Sequence, residues 1–198
     1  MNYLAHLFLS SHNHDLMVGN FIGDAVKGND HENYSPDVQR GIIMHRSIDD
    51  FTDHHELVKD SKKYFVKDFD KYSGVLIDIY FDYFLAKKFA DYSNTSLRSF
   101  AGNTYTILNN NKHVFPEKAN YFFDYMVREN ILLRYAELEG ITKVLHGMTH
   151  RIKQRYQLYE SIDEFKNNQG PLYNNFTAFF EELKKDLVEK GFVNFTSL

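Results

Sequence analysis

A chain of 198 residues with three prolines and 43% hydrophobic content suits one domain, residues 1–198, with a substantial core rather than a disordered polypeptide. The formal net charge of −4 gives no basis for broad nucleic-acid binding. Cysteine is absent, which excludes disulfides and thiolate chemistry; any metal site must use His, Asp and Glu, donors that favour Mn, Mg, Fe or Zn.

The first segment, residues 2–10, reads as a helix. Its start, MNYLAHLFLSS, has no basic n-region, and His6 interrupts the apolar run, so it is not expected to be a signal peptide. No segment approaches the ~18 consecutive apolar residues of a membrane span, which makes a soluble, cytoplasmic protein without membrane contact the simplest expectation. A second helix is predicted over 14–27, ending at Gly28 and Asn29, and 28–35 reads as a loop. Ser35 as N-cap and Pro36 at the first helical position then open a long helix carrying Val38, Gly41, Ile42, His45, Ile48, Asp49 and Thr52. A more charged helix is predicted over 57–69 and a strongly apolar one over 72–91. Further helices follow at 95–109, 117–128, 137–159 with a break, and 171–189, with Pro116 and Pro171 suited to helix starts. No stretch sustains period-two alternation between turn signals, so the predicted fold class is all-α.

Three of these helices carry polar groups confined to one face. In Gly74–Ala86 the only charges are Asp78 and Asp82, at i and i+4 among apolar and aromatic residues. Two like charges on one buried face repel and lose solvation; a divalent cation removes that cost, and so does an arrangement in which the pair caps other helices or binds arginines. In Leu16–Val26 the lone charge is Asp24, while Gly19 and Gly23 leave a bare strip that another backbone or a ligand can approach. In Gly41–Asp53, His45 and Asp49 share a face at i and i+4, a spacing that can hold one metal, and Asp53 extends it by a turn. Arg46 points to a neighbouring face, where it can bind a phosphate or orient a carboxylate. His6 reads first as a hydrogen-bonded core histidine, with ligand or general acid as the alternatives. One metal-centred site accounts for all three faces together, and a cation there would activate water and polarise a phosphoryl oxygen.

Read in order, these segments resemble the acyl carrier protein phosphodiesterase family, a distorted relative of the HD-domain metallophosphohydrolases. The similar pieces are MNYLAHL at the start, Gly19–Gly28, Pro36-Asp37-Val38, Gly41–Asp49, Phe51-Thr52-Asp53 and Asp78–Leu85, with a later likeness at Leu145–Arg151. The resemblance implies an HD-like helical domain and a manganese-dependent enzyme that removes 4'-phosphopantetheine from holo-acyl carrier protein. It implies Asp24, His45, Asp49, Asp78 and Asp82 as metal ligands or supporting carboxylates. Arg46 or Lys27 would stabilise developing charge, and His6 would donate a proton to the leaving group. Where the family often has Asp-His-Phe-Leu, this chain has Asp82-Tyr83-Phe84-Leu85. An acidic carrier protein calls for a basic docking surface, and Arg151, Lys153 and Arg155 supply one candidate, with Lys62, Lys63 and Lys67 as a second. An HD-like hydrolase of a nucleotide or other small phosphoester, and a non-enzymatic helical binding module, are the competing readings.

Overall fold

The computed structural model describes residues 1–10, 13–152 and 155–195, and every regular element among them is helical, as the periodicity predicts. In chain order the α-helices are α1 (Tyr3–Leu9), α2 (His14–Ile22), α3 (Pro36–His54), α4 (Glu56–Lys62), α5 (Val66–Phe69) and α6 (Ser73–Lys87). They continue as α7 (Leu97–Asn110), α8 (Glu117–Arg128), α9 (Ile131–Arg134), α10 (Leu138–Arg151), α11 (Ser161–Asn167) and α12 (Gln169–Glu189). No helix among the described residues is long and apolar enough to cross a membrane.

Several boundaries differ from the predicted ones, each for a local reason. The helix predicted over 14–27 stops at Ile22, and Gly23–Ala25 tightens into a 3-10 turn. The predicted helix 57–69 breaks because the Lys63, Tyr64 and Phe65 amides bond to carbonyls three residues back. That tightened turn delivers Phe65 to the interior, where it stacks on Tyr80 with ring centroids 5.4 Å apart. The segment 137–159 is helical only to Arg151, and a 3-10 turn at Leu158–Glu160 follows. Pro116 occupies the N-cap of α8, while Pro171 is the third residue of α12, where a missing N–H costs nothing. Ser35 stands at the N-cap of α3 but its hydroxyl makes no capping bond; the caps with side-chain bonds include Asn13 to Leu16 N and Ser96 to Ser99 N.

α6 runs through the core. Leu76, Ile77, Ile79, Tyr80, Phe81 and Leu85 are fully buried, and each such side chain contributes roughly 1.5–3 kcal/mol of burial free energy. Tyr80 stacks on Phe165 at 4.0 Å and hydrogen-bonds Ser161 Oγ at 2.5 Å, which ties α11 to α6. α2 and α3 cross backbone to backbone. A Cβ at Gly19 would lie 2.0 Å from the Val38 carbonyl oxygen, and one at Gly41 would lie 2.3 Å from that of Leu16. The strip of small residues in α2 is therefore filled by α3, and this crossing fixes where His45 and Asp49 stand relative to α1.

Candidate metal centre

His6 on α1 and His45 on α3 stack face to face, with ring centroids 4.2 Å apart and planes 24° from parallel. Both are buried, at 3% and 4% exposure. The two rings are oriented by one residue, Asn20 of α2, itself fully buried. Its Nδ2 donates to the His6 carbonyl at 2.7 Å and to Ser10 Oγ at 2.9 Å, so its Oδ1 is the acceptor facing His6 Nδ1 at 2.8 Å. Its main-chain carbonyl accepts from His45 Nδ1, also at 2.8 Å. Each ring thus spends its Nδ1 proton on Asn20. In the neutral form each then presents an Nε2 lone pair, as in histidine metal ligands whose other nitrogen is held by a carbonyl.

Both Nε2 atoms aim at carboxylates. Asp49 bridges them, with Oδ1 3.2 Å from His6 Nε2 and Oδ2 3.2 Å from His45 Nε2, and Asp24 Oδ1 stands 3.3 Å from His45 Nε2. Yet His45 Nε2 is a buried atom that makes no hydrogen bond in this arrangement. His6, His45 and Asp49 each offer a ligand atom, all within 4.8 Å of one another. An orphaned buried nitrogen, a second nitrogen of the same tautomer and a bridging carboxylate form a donor set that fits a divalent cation. Gly23 makes room for the His45 ring: a Cβ there would lie 2.4 Å from His45 Cγ.

The charges are consistent with this fit. Burial, then the neighbouring His45, pulls the His6 imidazole down and keeps it neutral. Burial also pulls on His45, but the Asp24 and Asp49 carboxylates outweigh it and raise that imidazole to about 9. Asp49 is penalised by burial, but the two imidazoles more than offset this and hold it well below the usual carboxylate range. Asp24 is lowered chiefly by its contact with His45. Without a cation, one proton on His45 compensates the carboxylates; a cation would take its place. The centre opens through its acids, whose side chains are 42% exposed for Asp49 and 60% for Asp24. It forms the wall of a cavity of about 280 Å³ that Thr52, Asp53, Asp78 and Met148 also line.

The other predicted site residues are placed as follows. Asp82 leaves the expected ligand set. It is fully buried, and its two oxygens accept the Leu4 and Ala5 amides at 2.7 and 3.2 Å, capping the start of α1. Burial raises its carboxyl to about 7, against the pull of the Met1 amino group and those two amides. Asp78 lies on the cavity wall, but its Oδ1 accepts from the Met1 amino group at 2.9 Å. The i,i+4 pair on α6 does share one face, and that face serves α1. Asp53, also on the wall, pairs with Lys62 Nζ at 3.3 Å. Arg46 donates to the Val26 carbonyl at 3.1 Å, pinning the segment after the 3-10 turn, and Lys27 is exposed; neither lines the cavity. Arg155 is exposed, its guanidinium 5.6 Å from the Tyr156 ring, while Lys153 and the Arg151 side chain lie outside the described residues. Lys63 pairs with Asp60 at 2.8 Å. Tyr83 is a core residue, edge-on to Phe165 at 5.4 Å and 7% exposed, so the departure from the expected histidine falls away from the centre. Asn20 is the functional residue that the pattern reading passes over. Its one signal is an amide inside an otherwise apolar helical turn.

Three proteins similar to this chain carry the same description. An acyl carrier protein phosphodiesterase from Yersinia pestis is 33% identical over 192 residues, covering 96% of this chain and 99% of that one. Those from Photorhabdus laumondii and Yersinia enterocolitica are 32% and 31% identical, each over 96% of this chain and over 95% and 99% of their own lengths. No solved structure matches the chain. The family model described as acyl carrier protein phosphodiesterase matches residues 1–183, and the chain belongs to that family.

Proposed function

We propose that this protein hydrolyses the phosphodiester that joins 4'-phosphopantetheine to a serine of holo-acyl carrier protein, giving apo-carrier and 4'-phosphopantetheine, with Mn²⁺ as its cation. The observation that carries the reading is the orphaned Nε2 of His45 beside His6 and Asp49 on a cavity wall, in a member of this family. His6, His45 and Asp49 would hold the ion, and Asp24 stands close enough to His45 to join them. When bound, the ion supplies Lewis acidity toward a phosphoryl oxygen and activates water as the nucleophile. Asn20 keeps both imidazoles in the tautomer that leaves Nε2 free. Asp24, held ionised and exposed at the rim, is placed to accept a proton from the attacking water. Among the described residues lining the cavity there is no Lys or Arg, and the Met1 amino group lies on its wall. The basic run Arg151, Lys153 and Arg155 suits the acidic carrier, and charge reversal at Arg151 and Arg155 should raise KM and flatten its salt dependence.

The test is mass spectrometry of purified holo-carrier incubated with the protein, with and without Mn²⁺. Loss of the phosphopantetheine mass only when Mn²⁺ is present is the expected result. An intact holo-carrier alongside turnover of a nucleotide substrate would replace this reading with hydrolysis of a small phosphoester.

A further inference from the structure

Asn2, Tyr3, Asp24 and Met148 line the cavity of the centre and also a second, larger one of about 800 Å³, so the two adjoin. We propose that this larger groove, bounded by α1, α8, α9 and α10, seats the pantetheine arm; the proposal rests on the function inferred above. In that reaction the phosphorus–serine oxygen bond breaks, the water oxygen bonds to phosphorus, and the serine oxygen takes up a proton. The phosphate therefore stays with the arm, and the product must fit a phosphate at the centre with a long neutral chain leading away from it. The groove starts where that chain would start. Its volume lies within the range of clefts that enclose small ligands, roughly 300–1,000 Å³, whereas a docked protein needs a broad surface.

The wall chemistry suits such a chain. Tyr3 stacks on Phe122 at 4.2 Å and Phe122 packs against Phe21 at 6.3 Å, giving a continuous aromatic face for a dimethyl-substituted carbon. Asn2, Tyr121 and Tyr125 bring an amide and two phenol hydroxyls to the same groove, groups that can hydrogen-bond amides. Tyr121 stands at the rim, 82% exposed, with no packing reason to be aromatic. Gly147 of α10 lines the groove, and a Cβ there would meet only the Tyr125 hydroxyl oxygen, at 3.7 Å, so a larger side chain at this position can be added to narrow it.

The experiment is inhibition of holo-carrier hydrolysis, in Mn²⁺, by 4'-phosphopantetheine and by inorganic phosphate, on wild type, Gly147→Leu and Tyr121→Ala. Gly147→Leu should raise the inhibition constant of 4'-phosphopantetheine at least tenfold and leave that of phosphate unchanged. Tyr121→Ala, an exposed position that does not threaten folding, should raise the first about threefold and not the second. Equal shifts for both inhibitors, or none for either, would overturn the groove assignment while leaving the function standing. Dissociation of a dimer in the Tyr121 variant, seen by sedimentation, would give the groove to a second copy of the chain and also overturn it. Failure of the wild type to release the arm at all is a different result, which sinks the proposed function instead.

Discussion

Two i,i+4 pairs, His45/Asp49 on α3 and Asp78/Asp82 on α6, carry the same signal in the sequence and meet opposite fates in the fold. Asp82 is fully consumed: both of its oxygens accept main-chain amides at the start of α1, and Asp78 takes the Met1 amino group. His45 is left with a buried Nε2 that makes no hydrogen bond, although Asp49 and Asp24 stand 3.2 and 3.3 Å from it. A buried polar group with partners holds a fold together, whereas one without a hydrogen bond, beside a second imidazole and a bridging carboxylate, is a candidate ligand. The difference teaches that burial and spacing nominate a polar face, while the hydrogen-bond inventory decides its use.

The sharpest way to break this comparison is to remove one member of each pair. His45→Ala should abolish Mn²⁺ retention and cut kcat/KM on the order of a thousand-fold, equivalent to about 4 kcal/mol, with the helical circular dichroism unchanged. Metal content by plasma mass spectrometry and steady-state kinetics check it; a variant of normal metal content would remove His45 from the ligand set. Asn20→Leu tests the tautomer argument at the next level. It should weaken Mn²⁺ binding about 10–100-fold, as losses of the groups that orient metal ligands do.

Asp82→Asn should do the reverse, leaving Mn²⁺ affinity alone and lowering stability by about 1–3 kcal/mol, because the amide nitrogen opposes a main-chain N–H. Its pH dependence has a defined sign. The folded protein holds the Asp82 proton up to about 7, above the unfolded value of 3.8, so this group makes the wild type lose stability as the pH rises between those values. The asparagine variant lacks that loss, and urea titrations at pH 4.5 and 7.5 should show its deficit shrinking.

His45 has its own signature in the metal-free protein. Its folded value is raised from 6.5 to about 9, so the stability it contributes is complete below about 6.5 and is lost as the pH climbs through about 9. Added Mn²⁺ should stabilise more over that same interval, since the ion competes with the proton for Nε2. Thermal melts in chelator and in Mn²⁺ across pH 6–9 would test this, and parallel curves would argue against a shared site. The smallest effect is expected from Tyr83→His: unchanged Mn²⁺ affinity, because the position packs against Phe84 and Phe165 rather than the centre.

The candidate centre was partly legible before the fold. His45, Asp49 and Asp24 could be nominated because each breaks an apolar helical face. Gly19 and Gly23 announced a close approach, and the structure supplies its two occupants, the α3 backbone and the His45 ring. For His6 the sequence leaves a core histidine, a ligand and a general acid open, and proton donation is only what the family resemblance implies. Its pairing with His45 depends on the packing of α1 beside α2 and α3, a relation across 39 positions that no periodicity encodes.

The sequence by itself determined the helical class, the apolar character of α6 and the absence of any thiolate ligand, because these follow from local periodicity and composition. Only the tertiary structure decided which polar groups share a partner. Asn20 directs two imidazoles through one side chain and one carbonyl, and Asp82 is spent on amides some 78 positions away. Hydrogen bonds act over about 3 Å in space and take no account of separation along the chain, so such assignments exist only once the helices are packed.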